Sequence, residues 1–294
     1  MMTQNPVSSG HRFDAARRWD AALSLGFSMD DTDASGVTRM SRAYHHGPLR
    51  VQRPFYPEGR SGCCHVYLLH PPGGLVSGDA LQIDVSVETG AQALVTTPAA
   101  SKLYRADSHA VAWTQHTRLA VADDAILEWV PQETLAFDGS RGVQSLTLEL
   151  ASGARCLGWE LLGLGRPASG LPFASGRLEQ RFRLLHNGRP LWLERQLLEP
   201  EHPRFHGPWG QGGATVQGTL WVVGLPDPAE ATVALRDALP AAEYWAVTVR
   251  RGVLLLRYLG QERNQAWALF QHARELLRPR LTGQAATVPR IWLT

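Results

Sequence analysis

The chain has too few cysteines for a disulfide framework, since Cys63, Cys64 and Cys156 are the only ones in 294 residues. An odd, sparse set points to a reducing compartment rather than a stapled secreted fold. Charge is scarce too, at 19% of residues against 44% hydrophobic, so the folded surface keeps apolar area that a partner can cover. The formal net charge of +2 comes without any basic run, which argues against nucleic acid as a partner. No eighteen apolar residues run together, and residues 1–20 lack the apolar core and cleavage site of a secretory leader. The reading is a cytoplasmic protein with no membrane partner.

Reaction signatures are missing as well. There is no Gly-Lys-Ser/Thr phosphate loop, no Gly-x-Gly-x-x-Gly, no Gly-x-Ser-x-Gly elbow and no His-Glu-x-x-His helix. The acids Asp79, Glu128, Glu133, Asp138 and Glu194 fall in or beside strand-like segments. They leave a β-solenoid hydrolase acting on polysaccharide as an alternative, because one dimension does not measure the separation of two carboxylates.

What is present is alternation. Trp19–Met29, Thr38–Tyr44, His65–His70, Ala80–Glu88, Ala91–Thr97 and Ala110–Val121 read as strands. Ala125–Val130, Val143–Leu150, Cys156–Leu164, Leu178–Leu185 and Leu191–Leu198 continue the series, the last two joined by Asn187-Gly188. Strands at this spacing without helices between them predict a mainly β fold, either a sandwich or stacked, solenoid-like sheets. No repeated sequence unit is evident, so a solenoid would be irregular.

Most irregular is His70-Pro71-Pro72-Gly73-Gly74-Leu75-Val76-Ser77-Gly78-Asp79. Its prolines cannot sit in a central strand, and its glycines open backbone angles closed to other residues. The loop is either a tight turn between packed sheets or a device presenting Asp79 and bare amides.

After Gly213 the texture changes to strand, helix, strand, strand, helix, a split βαβ pattern. Asp227 is the expected cap of the first helix, with Pro228 at its first position, and Pro279 is expected to stop the second. The organisation is a mobile segment at 1–18, a stacked-sheet body at 19–213 and an α+β part at 214–294 continuous with it.

Metal candidates are Cys63 and His65, which share a strand face, although two ligands alone do not make a site. His45-His46 and the loop residues His202 and His206 are weaker.

Several stretches in order resemble the UreD (UreH) family of urease accessory proteins. They are Gly47–Glu58, the His70–Asp79 loop, Thr96–Arg105 with Lys102, Tyr104 and Arg105, Leu127–Thr134 with Pro131, Gln132 and Glu133, and Leu277–Gly283 with Pro289–Leu293. Ser77 departs from the glycine more usual there. The resemblance implies stacked β-sheets with two helices and a non-enzymatic scaffold. Its partners would be urease structural subunits, UreF and, through UreF, UreG, with room for a homodimer within that complex. It implies no tightly bound cofactor but transient nickel(II), in a polar passage where Asp79, Ser101 and Glu194 match lining residues. A purely structural module without a metal path is the remaining alternative.

Overall fold

The computed structural model describes residues 17–30, 36–59 and 62–293. Nearly all of the segment expected to be mobile, and most of the turn after Met29, lie outside those residues. The alternating segments become two stacked sheets. β1 (Trp19–Met29) and β2 (Thr38–His46) form the antiparallel hairpin, and β3 (Arg50–Val51) follows.

From Cys64 the chain winds as a coil. Each turn has a strand in the second sheet, a corner, a short strand, and a long strand in the first sheet. The first turn is β4 (Cys64–Leu69), β5 (Gly74–Leu75) and β6 (Asp79–Val87). The second is β7 (Gln92–Thr96), β8 (Ser101–Leu103) and β9 (Trp113–Val121). The third is β10 (Ile126–Trp129), β11 (Thr134–Ala136) and β12 (Arg141–Leu150). β13 (Arg155–Leu164) opens a fourth turn that returns as β14 (Arg177–His186). Parallel neighbours need a long crossover, and here the opposite sheet supplies it. Hence β6, β9, β12 and β14 lie parallel in one sheet, and β4, β7, β10 and β13 in the other. Inward apolar residues such as Ile83, Leu119 and Leu148 meet Val95, Leu127 and Cys156 across the gap.

No sequence unit repeats along this irregular coil, but one residue type recurs at its corners. Pro71, Pro98 and Pro131 each stand two residues after β4, β7 and β10 and three before the next short strand. A residue without an N–H ends each ladder at the same point, so the chain turns at one stacked corner. The corners are tied together: Gln132 N–H donates to Thr97 Oγ1 at 2.9 Å, and Thr96 Oγ1 donates to the Val130 carbonyl at 2.6 Å.

β15 (Arg189–Leu198) returns from β14 over Asn187-Gly188, both with positive φ, as the two-residue hairpin requires. A one-turn helix α1 (Pro203–His206) leads to β16 (Val216–Val223), which is antiparallel to β13. α2 (Pro228–Ala238), β17 (Trp245–Arg250) and β18 (Val253–Gly260) follow, with β18 between β16 and β17, the split βαβ arrangement. Asp227 caps α2 by accepting the Glu230 N–H at 2.8 Å. α3 (Arg263–Thr282) covers the second sheet with Ala266, Phe270, Ala273 and Leu277. Pro279 does not stop it. Burial of Arg278 and Leu281 holds the last turn, and the helix ends at Gly283, whose N–H returns to Pro279.

The His70–Asp79 loop is two turns flanking β5. Gly73 and Gly78 have positive φ, but Gly74 does not. Gly74 is needed because an added Cβ would collide with the Lys102 carbonyl and the Tyr104 ring, whereas Gly73 faces open space. Gly73→Ala is therefore expected to cost about 1–2 kcal/mol through its backbone alone. Gly74→Ala should cost more, because it pushes β5 off β8. Urea unfolding of both variants checks this, and a Gly74→Ala as mild as Gly73→Ala would refute the close-approach account.

Candidate functional site

Between the sheets, apolar packing gives way to a polar seam. In β12, β14, β15 and β16, glutamine takes an inward position where alternation calls for an apolar residue: Gln144, Gln180, Gln196 and Gln217. Their amides are joined. Gln217 Nε2 donates to Gln180 and to Gln196 at 2.8 Å each, Gln180 donates to Gln144 at 3.0 Å, and Gln211 donates to Gln217 at 2.5 Å. Such a chain crosses from the first sheet to the second, and it leaves the Gln211 Oε1 buried without a partner among the described residues.

Two cavities flank the seam. One, of about 200 Å³, is lined by Glu194, Arg257, Gln196, Gln217 and Trp192 among others. The other, of about 130 Å³, is lined by Ser101, Thr97, Gln132, Thr134 and Gln144 among others. Both are lined by Glu160 and Gln180, so they meet at that pair. Glu160, on the inward face of β13, accepts no hydrogen bond from any described residue. Burial, and then the negative charge of Glu194, push its carboxyl up to about 7. It is the acid of this space that exchanges its proton near neutrality.

The structure brings Ser101 and Glu194 to this space and leaves Asp79 out of both cavities. Asp79 accepts the Val76 N–H at 2.8 Å and closes the second turn of the loop; burial raises its pKa against that bond. Glu194 takes a partner other than Arg181 or Arg183 across the hairpin. Arg257, from β18 of the opposite sheet, grips both its oxygens at 2.9 and 2.6 Å. Arg181 instead shares Glu179 with Arg195.

The remaining motif residues build the corners. Gly73, Pro131 and Gln132 line the second cavity. Pro71 and Pro72 form the exposed turn before Gly73. The Pro131 carbonyl accepts from Trp159 Nε1 at 2.8 Å, and buried Glu133 pairs with Arg263 at 2.9 Å. Tyr104 packs edge-on against Phe137, Arg105 pairs with Asp138, and Lys102 is exposed.

Comparison with known proteins decides the family. The model of the family described as "UreD urease accessory protein" matches residues 20–293. The urease accessory protein UreD of Marinobacter nauticus is 69% identical over 288 residues, covering 98% of this chain and 97% of its own. Those of Pseudoalteromonas translucida and Hahella chejuensis are 67% and 43% identical, covering 98% and 95% of this chain and 95% and 92% of theirs. The chain belongs to the UreD family. It is a urease maturation factor and not an enzyme.

In this UreD chain the metal candidates Cys63 and His65 meet Glu58, with one ligand atom from each within 4.8 Å of the others. Glu58 is already engaged, by His65 Nε2 at 2.7 Å and by both oxygens on Arg278 Nη2 at 2.7 Å. Burial, with the charges of Glu128 and Glu58, pushes the Cys63 thiol well up, so an ion would have to displace a tightly held proton beside a guanidinium. Arg278 and Arg274 also clasp buried Glu128, each at 2.6 Å. The bonds in place make this cluster a clamp between α3 and the second sheet. Among the described residues no helix is long and apolar enough to cross a membrane.

Glu160 and the glutamine seam escaped the sequence reading. Their signal was a polar residue on the inward phase of a strand, as in Leu178-Glu179-Gln180-Arg181-Phe182.

Proposed function

We propose that this UreD chain joins urease apoprotein to UreF and, through UreF, to UreG, and that nickel(II) crosses it through the space between the sheets. The observation carrying this reading is that two cavities between the sheets share Glu160 and Gln180 as common lining, so that polar groups run through otherwise apolar walls. Carboxylate, amide and hydroxyl oxygens line the route from Ser101 to Glu194, and all three cysteines are buried away from it. Oxygen donors hold nickel loosely enough for onward transfer, where thiolates would retain it. Nickel is cargo here, present only during transfer.

The test is co-expression of the tagged chain with urease structural subunits, UreF and UreG. We expect UreF and urease to co-purify with the chain, UreG to do so only when UreF is present, and nickel to enter urease in the complete set. UreG retained without UreF would overturn the assigned order. Full nickel loading of urease in the chain's absence would overturn the transfer role and leave a structural module.

A further inference from the structure

The first sheet ends at β15, and among the described residues β15 pairs with β14 alone. Exposed edges are usually short or blunted by charge and proline, because their free backbone groups accept any extended chain. β15 is ten residues long, and its proline, Pro190, stands at one extremity. Along its outer face Leu193 and Leu197 are 59% and 40% exposed, and Arg195 lies between them. Trp209, 99% exposed, stands beside the far end over a groove of about 400 Å³ that Leu197, Arg204 and Phe205 also line.

Charge on this edge is predominantly positive, with Arg177 paired to Glu199 at the rim of the groove. β14 and β15 carry Arg177, Arg181, Arg183, Arg189 and Arg195 against Glu179 and Glu194. Glu194 is turned inward onto Arg257, and Glu179 is shared by Arg181 and Arg195. Arg183, opposite Leu193, and Arg189 are exposed and pair with no described carboxylate. Among the described residues the Arg204 side chain meets only His202, at 3.5 Å. A chain of net charge +2 thus gathers unneutralised arginines beside a hydrogen-bonding edge and exposed leucines.

We propose that β15 and its groove dock an acidic, extended segment of a partner polypeptide, which adds to the first sheet as a further strand. Its backbone pairs with the free edge, its apolar side chains cover Leu193 and Leu197, and its carboxylates meet Arg183, Arg189 and Arg204. The leucines and the strand edge favour a polypeptide over nucleic acid, and opposite charge sets its composition and speeds its arrival. The inference is independent of whether nickel crosses between the sheets.

A fluorescent peptide alternating glutamate and valine, as long as β15, tests it, with a lysine–valine peptide and a single-stranded oligonucleotide as comparisons. The acidic peptide should bind, weaken as salt is raised, and slow amide exchange within 189–198. Arg183→Glu with Arg189→Glu, both on exposed side chains, should weaken binding by about tenfold without moving the unfolding midpoint, the loss of roughly 1.4 kcal/mol. Leu193→Lys should weaken it in the same assay. Protection confined to other strands, equal binding of the lysine peptide, or equally tight oligonucleotide binding at this edge would each overturn the proposal. So would sedimentation showing β15 already covered by a second copy of the chain.

Discussion

Arg278→Met should cost about 3–5 kcal/mol of folding stability, read as a lowered urea midpoint, because it strips a buried carboxylate pair of its shared counter-ion. Arg278 donates Nε to Glu128 and Nη2 to Glu58, and its Nη1 reaches the Ala285 carbonyl. Arg274 completes the set on Glu128 and holds the Thr287 carbonyl at 3.0 Å. The two arginines neutralise the two acids, so removing one leaves net negative charge on side chains that are almost fully buried. The loss should also release the segment after α3, whose Trp292 packs tilted against Trp159 and edge-on against Trp267 and donates to Thr96. Glu58→Gln in the Arg278→Met background should recover part of the loss. A single Arg278→Met with an unchanged midpoint would mean the cluster does not clamp the fold.

The acid limb of stability follows from the same bonds. Burial alone would raise the Glu58 carboxyl, but hydrogen bonds from His65 and Arg278 outweigh it and hold it at about 2. Glu128 is likewise lowered, the charges of Arg274 and Arg278 overcoming burial. An acid with a depressed folded pKa contributes stability above its ordinary value, roughly 4.3, and loses it as pH falls through the folded value. The parent should therefore weaken between about pH 4 and 2.

Glu160→Gln should lower nickel transfer to urease by about tenfold or more while leaving partner binding intact, the equivalent of at least ~1.4 kcal/mol. Glu160 stands where the two cavities meet, and its carboxyl titrates at about 7. Transfer by the parent should rise with pH through that value and go flat in the variant. Stability should move the other way. An acid with a raised folded pKa binds more protons in the folded state, so between about 4.3 and 7 the parent loses stability as pH rises, and Glu160→Gln should not. Glu194→Leu should also lower transfer and, by leaving Arg257 unpaired in the cavity, cost some stability. Nickel content per urease, with co-purified UreF as the control, decides the matter. Parent-like nickel in Glu160→Gln would exclude this route, and loss of UreF would make Glu160 structural.

Much of the fold was legible along the chain because it is encoded locally. Period-two alternation placed Trp19–Met29 to the residue, Asn187-Gly188 specified a hairpin, and Asp227-Pro228 announced α2. Those signals depend on neighbours a few residues away. The proline corner was legible too, in the recurrence of Pro71, Pro98 and Pro131, but its meaning needed the strand ends that align it.

The site was legible only in pieces. Ser101 and Glu194 were found through resemblance, and both lie on the cavities; Asp79 was found the same way and serves its own turn. Composition and alternation alone determined a mainly β chain, an α+β end and the absence of a phosphate loop. Tertiary structure decided that Glu194 pairs with Arg257, sixty-three positions away, and that Glu160 lies between two cavities with no partner among the described residues. It also decided that Pro279 stays helical under Arg278 and Leu281. In each case the outcome turns on burial and on a charge brought from the opposite sheet or a distant helix, and a carboxylate's partner, unlike a strand's period, is set by which elements stack.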